Sequence, residues 1–152
     1  MVVALDNQGL GSVQNLLTPL SSTSFLAARA YIEALDLDYI VASMCAERYP
    51  LPRWTLPDAT HCCRLYKNFL ILIKKHHPEF LVPTREIDEF WHNHILYTKN
   101  YCRDSQAIFG HYLHHEPLSP DESPALLVND YLKTKQYYLE EFGEPLAVIP
   151  AV

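Results

Sequence analysis

The sequence is poor in the features that announce common chemistries. With four glycines in 152 residues there is no Gly-rich loop to cradle a phosphate, so no nucleotide cofactor is expected. It has no G-x-S-x-G turn, which leaves out the nucleophile elbow of many hydrolases. Neither H-E-x-x-H nor C-x-x-C occurs, so the two most specific short metal signatures are missing. Positive charge is scarce too. A net charge of -6 with no basic block argues against a nucleic-acid partner, because neutralising phosphates needs a surplus of Lys and Arg.

Long apolar runs are also absent. The longest, Phe69-Leu70-Ile71-Leu72-Ile73, is far short of the roughly 18–20 residues that cross a bilayer. The first residues show no basic n-region and no continuous apolar stretch, so neither a signal peptide nor membrane insertion is expected. Cys45, Cys62, Cys63 and Cys102 make a poor disulfide framework, and a reducing cytoplasm fits them better. All four read as small buried apolar residues.

What is present is an ordinary globular composition, 49% hydrophobic and 20% charged, in a length suited to one domain. Residues 1–22 mix Gly, Pro, Ser and Thr with scattered leucines and read as a partly ordered arm. Residues 23–145 read as one helical domain, and 146–152 as a tail. A helix beginning at Ser22 or Thr23 runs to about Leu35, and Asp36 or Asp38 can cap a second stretch through Arg48. Pro50, Pro52 and Pro57 force an extended link. Asp58 then reads as the N-cap of a helix that Pro78 ends, with Cys62, Leu65, Phe69, Leu72 and Ile73 at helical spacing. Pro83-Thr84 opens one long helix that Gly110 stops. A loop covers 111–128, and Asn129 caps a last helix that ends at Gly143. With no run of period-2 alternation, the fold class is all-α: a single compact domain of four to six helices, the Asp58–His77 and Thr84–Ile108 helices paired at its centre.

The chemistry-bearing residues are histidines. Five of the eight fall between positions 92 and 115. Imidazole is the side chain best suited to metal ligation and to proton transfer near neutral pH. On one regular helix from Ile87, a turn of about 100° per residue puts Phe90, Trp91, His94, Ile95, Thr98, Tyr101, Cys102 and Ser105 on a core face. Glu89, Asn93, Asn100 and Asp104 fall opposite. His94 is then either a structural histidine bonded to a carbonyl or a tyrosine, or a group at the wall of an internal pocket. A closed, dry environment around His94 favours a protein-interaction module over a metal-binding protein, and an open concave pocket there counts against the module. His92 points about 160° away from His94, so the two cannot share an ion on a regular helix.

Asp88 and His92 are i,i+4 neighbours and can supply two ligands to one ion, or form an ion pair that fixes the helix. Beyond Gly110 the chain can turn back, so His111, His114 or His115 can approach. Asp88, His92 and one of His114 or His115 would make a three-ligand site with an open position, as catalytic zinc sites have, and iron or manganese would also suit these donors. The candidate metal-ligating residues are therefore Asp88, His92, His94, His114 and His115. A metal-binding protein, extending to a metalloenzyme acting on a small molecule or peptide, is one reading. A protein-interaction module whose histidines and ten tyrosines are structural is the other. His61 and the His76-His77 pair need no functional reading, the pair because it sits at a negative helix end. No reaction is named by these residues.

The segment I-D-E-F-W-H-N-H-I-L, then Tyr101, then A-I-F-G-H-Y-L-H-H resembles the plant glycine-rich-domain proteins and their short bacterial relatives. Their pattern is approximately D-x-x-W-H-x-H-x-L, then Y-x-x-D-C, then F-G-x-x-L-x-H. The resemblance covers roughly 30 residues and points to Asp88, Trp91, His92, His94, Leu96, Tyr101, Asp104, Phe109, Gly110 and His114. It implies an intracellular, largely helical module without an established reaction. Ser105 stands where the pattern has cysteine, and the chain has no glycine-rich stretch.

Overall fold

Most of the helices begin where a side-chain oxygen accepts from a first-turn amide, or where a proline leaves one amide fewer to satisfy. The computed structural model describes residues 24–51 and 53–147; the arm expected over 1–22 lies outside them, as does most of the expected 146–152 tail. Helix α1 (Phe25–Ala34) is capped by Ser24, whose hydroxyl accepts from the amide of Ala27. Helix α2 (Asp38–Cys45) is separate from it and ends before Arg48; the Asp36 carboxylate accepts from the Asp38 amide at the join. Helix α3 (Leu56–His76) is capped by Thr55 rather than by Asp58. Asp58 sits in the first turn, where its charge suits the helix dipole and its amide donates to Thr55.

The expected long helix after Pro83 is two helices, α4 (Arg85–Leu96) and α5 (Thr98–Phe109). Thr84 caps α4, and Gly110 ends α5 in the left-handed conformation that glycine adopts without strain. The break is at Tyr97, where ψ is 67° instead of a helical value near −42°. No proline or glycine causes it. The Tyr97 ring instead packs edge-on against Tyr39 of α2, with centroids 4.8 Å apart, so a tertiary contact overrides helix continuation.

Helix α6 (Pro124–Phe142) starts five residues before the expected cap at Asn129, with Ser123 at the cap position and Pro124 in the first turn, where its missing amide costs nothing. Gly143 closes it as expected. The described residues contain six helices and no strand, as an all-α domain requires.

Helix α3 is the hub, packing against α1, α2, α4 and α6. Its Leu65, Tyr66, Phe69, Leu70 and Leu72 are buried with Ile32, Ile40, Met44, Ile87, Phe90 and Trp91 in one continuous core. Among the described residues no helix is long and apolar enough to cross a membrane. The pairing of α3 with α4 sets the face of α4 that carries Asp88 and His92 beside the 77–84 connection.

Candidate metal site and its supports

The break at Tyr97 decides where the histidines and carboxylates of this region go. Because α5 is rotated away from the register of α4, Asp104 turns inward and is 1% exposed, while Thr98 and Cys102 turn out to solvent. The single-helix projection had these three reversed. On α4 it holds: Ile87, Phe90, Trp91 and His94 are buried. Glu89 and Asn93, placed opposite, are not free in solvent. Glu89 accepts from the Tyr49 hydroxyl at 2.7 Å and from Trp54 Nε1 at 2.8 Å, so the segment after α2 covers that side.

His94 is enclosed. Its Nε2 lies 3.0 Å from Asp104 Oδ2 and its Nδ1 2.8 Å from the Tyr66 hydroxyl. An ionised carboxylate can only accept, so Nε2 donates to Asp104, and in the neutral ring the Tyr66 hydroxyl donates to Nδ1. Asp104 also accepts from Tyr31 at 2.7 Å and from Arg103 at 3.1 Å. Burial alone would raise the Asp104 carboxyl pKa; the three hydrogen bonds outweigh it and hold the group below the ordinary carboxylate range. Tyr66 is pushed well above the usual tyrosine value, chiefly by burial. With both nitrogens of His94 engaged by protein, this histidine is an architectural link between α3, α4 and α5.

The candidate ligands come together elsewhere. Asp88, His92 and His115 each offer an atom within 4.8 Å of the other two. Asp88 Oδ1 lies 2.6 Å from His115 Nε2 and Asp88 Oδ2 lies 3.7 Å from His92 Nδ1. The two imidazoles stack at 4.7 Å, and Trp91 lies 4.2 Å from the His115 ring on its other contact. His115 is held by chain position as well as by its ring. Trp91 Nε1 donates to the Tyr101 hydroxyl at 2.9 Å, and that hydroxyl donates to the Leu113 carbonyl at 2.6 Å. The chain after Gly110 is thereby fastened back onto α4.

His114 is exposed and packs beside Tyr112 instead. The F-G-x-x-L-x-H spacing counted from Phe109 falls on His115, so its assignment to His114 was one residue out of register. His111 is also exposed, bonded to the neighbouring Tyr112 carbonyl. Leu96, another residue of the pattern, is exposed at the end of α4.

The three residues line a cleft of about 730 Å³ between the 77–84 connection, α4 and the 113–118 segment. Phe80, Leu81, Val82 and Pro83 form one side of it and Leu118 contributes to the other. Two imidazoles and a carboxylate, partly exposed beside an open cleft, fit a borderline divalent ion with positions left for water or a ligand. Of the five candidate ligands the sequence offers, the structure brings Asp88, His92 and His115 together and leaves His94 and His114 apart, while the Trp91–Tyr101–Leu113 fastening and the apolar wall escaped sequence reasoning. The wall's only signal was the run of Pro78 and Pro83 around apolar residues.

Comparison with known proteins agrees with the motif. Residues 27–126 match the family described as UCP032817-like. Glycine-rich domain-containing protein 1 of Arabidopsis thaliana is 35% identical over 83 residues, which is 51% of this chain and 10% of that protein. Glycine-rich domain-containing protein 2 of the same plant is 36% identical over 83 residues, with the same shares. The chain thus spans about a tenth of the length of the curated relatives it matches. No solved structure matches. The family match begins in α1 and runs through Asp88, His92 and His115 into the first turn of α6, so the chain, candidate site included, belongs to the UCP032817-like family.

Proposed function

We propose that this chain binds a divalent metal ion, zinc, iron or manganese, through Asp88, His92 and His115. The observation that supports this reading is the convergence of three ligand-type atoms from α4 and from the chain after Gly110, residues far apart in sequence. A hydrogen bond joins Asp88 to His115, and an ion would replace the proton between them. Three protein ligands beside a cleft leave room for water or substrate, the arrangement of catalytic rather than structural sites. The finer reading is therefore a metalloenzyme acting on a small molecule or peptide in that cleft. Elemental analysis of protein purified without an affinity tag tests it. Less than about a tenth of an equivalent of these metals, with no binding on reconstitution, would overturn it.

A second reading, a protein-interaction module, draws on a different observation. Val128, Leu132 and Leu139 are each more than half exposed and fall on one face of α6. A chain that stays folded and takes up no metal would leave that reading, with the histidines as architecture.

A further inference from the structure

We propose that the cleft takes a small organic acid with an apolar body, its acid head on the metal held by Asp88, His92 and His115. This rests on the metal reading above and adds the class of ligand. Three observations carry it.

The candidate ligands sit in the wall of a cleft, not on a flat surface, and most of the remaining wall is apolar: Pro78, Phe80, Leu81, Val82, Pro83 and Leu118. Leu81 and Val82 are nearly buried, so this side is formed before any ligand arrives. The volume of about 730 Å³ is within the roughly 300–1,000 Å³ of small-molecule sites. Arg85 also lines the cleft. It precedes Asp88 by three positions and His92 by seven, which puts all three on one face of α4. Its guanidinium makes no ion pair among the described residues. A planar guanidinium beside a metal suits an acid head with two oxygens, one for each. Of the other polar residues on the 77–84 side, Glu79 accepts from the Tyr137 hydroxyl and Thr84 from the Ile87 amide, which leaves His77 and few free groups for a sugar. A wholly apolar molecule would leave the ion and Arg85 without a partner.

The test uses the full chain loaded with cobalt(II), whose visible spectrum reports a change of ligand, titrated by calorimetry with octanohydroxamate and acetohydroxamate. Hydroxamates stand in for carboxylic acids because both present two oxygens to an ion. Both probes should alter the cobalt spectrum, and octanohydroxamate should bind at least about tenfold tighter because its tail reaches the apolar wall. Phe80 and Leu118 are about half exposed, so Phe80→Ser and Leu118→Ser should fold. They should narrow the difference between the two probes while leaving cobalt affinity unchanged. Arg85→Gln should weaken both probes several-fold. Equal affinities for the two probes, or binding of octanohydroxamate with no change in the cobalt spectrum, would overturn the inference. Failure of cobalt itself to bind would show before any hydroxamate is added; it would overturn the metal reading, and this one with it.

Discussion

The Tyr101 hydroxyl stands between Trp91 and Leu113, accepting from the indole at 2.9 Å and donating to the carbonyl at 2.6 Å. One phenol therefore joins α4, α5 and the chain that carries His115. Its pKa is pushed up to about 12, chiefly by burial, so it remains a donor throughout the neutral range. Residues that orient a ligand in this way commonly change metal affinity by about 10–100-fold when altered. Tyr101→Phe keeps the ring and removes both bonds. It should lower stability by about 1–2 kcal/mol, because the Trp91 N–H and the Leu113 carbonyl lose their partner. Metal affinity should fall by roughly tenfold. Thermal melts and a metal titration check the two effects separately. Unchanged affinity would mean that the contact with Asp88 places His115 unaided.

The two histidines of W-H-N-H differ in kind. His94→Ala removes a buried ring and leaves Tyr66 and the ionised Asp104 short of a partner, so it should cost roughly 2–4 kcal/mol. His92 is 57% exposed at its side chain, and His92→Ala should cost less than about 1 kcal/mol while abolishing metal binding. Melts of both variants with and without chelator read this out. Equal losses, both insensitive to chelator, would return the whole cluster to architecture.

Much of the fold could be read from periodicity and punctuation. The apolar spacing of Cys62, Leu65, Phe69 and Leu72 marks the central helix, and Gly110 and Gly143 mark two helix ends that the structure reproduces. The break at Tyr97 was illegible because its cause is a ring on another helix, not a local breaker. That one residue hid the partnership of His94 with Asp104, since a continuous helix puts them on opposite sides. Asp88 and His92 were legible because i,i+4 spacing within one helix is local. The arrival of His115 was legible only as one of several options, because the path beyond Gly110 depends on Tyr101 and Trp91.

Asp104 gives acid stability a definite sign. Its carboxyl pKa is lower in the folded chain than in the unfolded one, because hydrogen bonds from His94, Tyr31 and Arg103 outweigh the effect of burial. As pH falls, the unfolded chain takes the proton first. The stabilisation is therefore complete above the unfolded value of about 3.9 and is lost as pH falls through the folded one. Asp104→Asn should be destabilised at neutral pH and should show a shallower loss of stability between about pH 5 and 2. Urea unfolding at a series of pH values measures the slope. A slope identical to that of the parent chain would assign the acid transition to other carboxylates.

The cysteines test the rotation of α5. Cys62 is buried, its thiol donating to the Glu86 carbonyl at 3.2 Å, and burial pushes its pKa well above the ordinary thiol value. Cys63 is half-buried and raised to about 11, again chiefly by burial. The thiolate is the reactive form, so both should be slow. Cys102 is exposed, although a continuous helix would place it in the core. In native protein a thiol reagent such as DTNB should therefore label Cys102 first, with Cys62 reacting only on unfolding. Cys102→Ser should remove the fast phase with a stability change within about 0.5 kcal/mol, as for an ordinary surface substitution. A fast phase that survives both Cys102→Ser and substitution of the half-buried Cys45, or a Cys102→Ser change that costs as much as a core substitution, would restore the continuous helix and turn Asp104 away from His94.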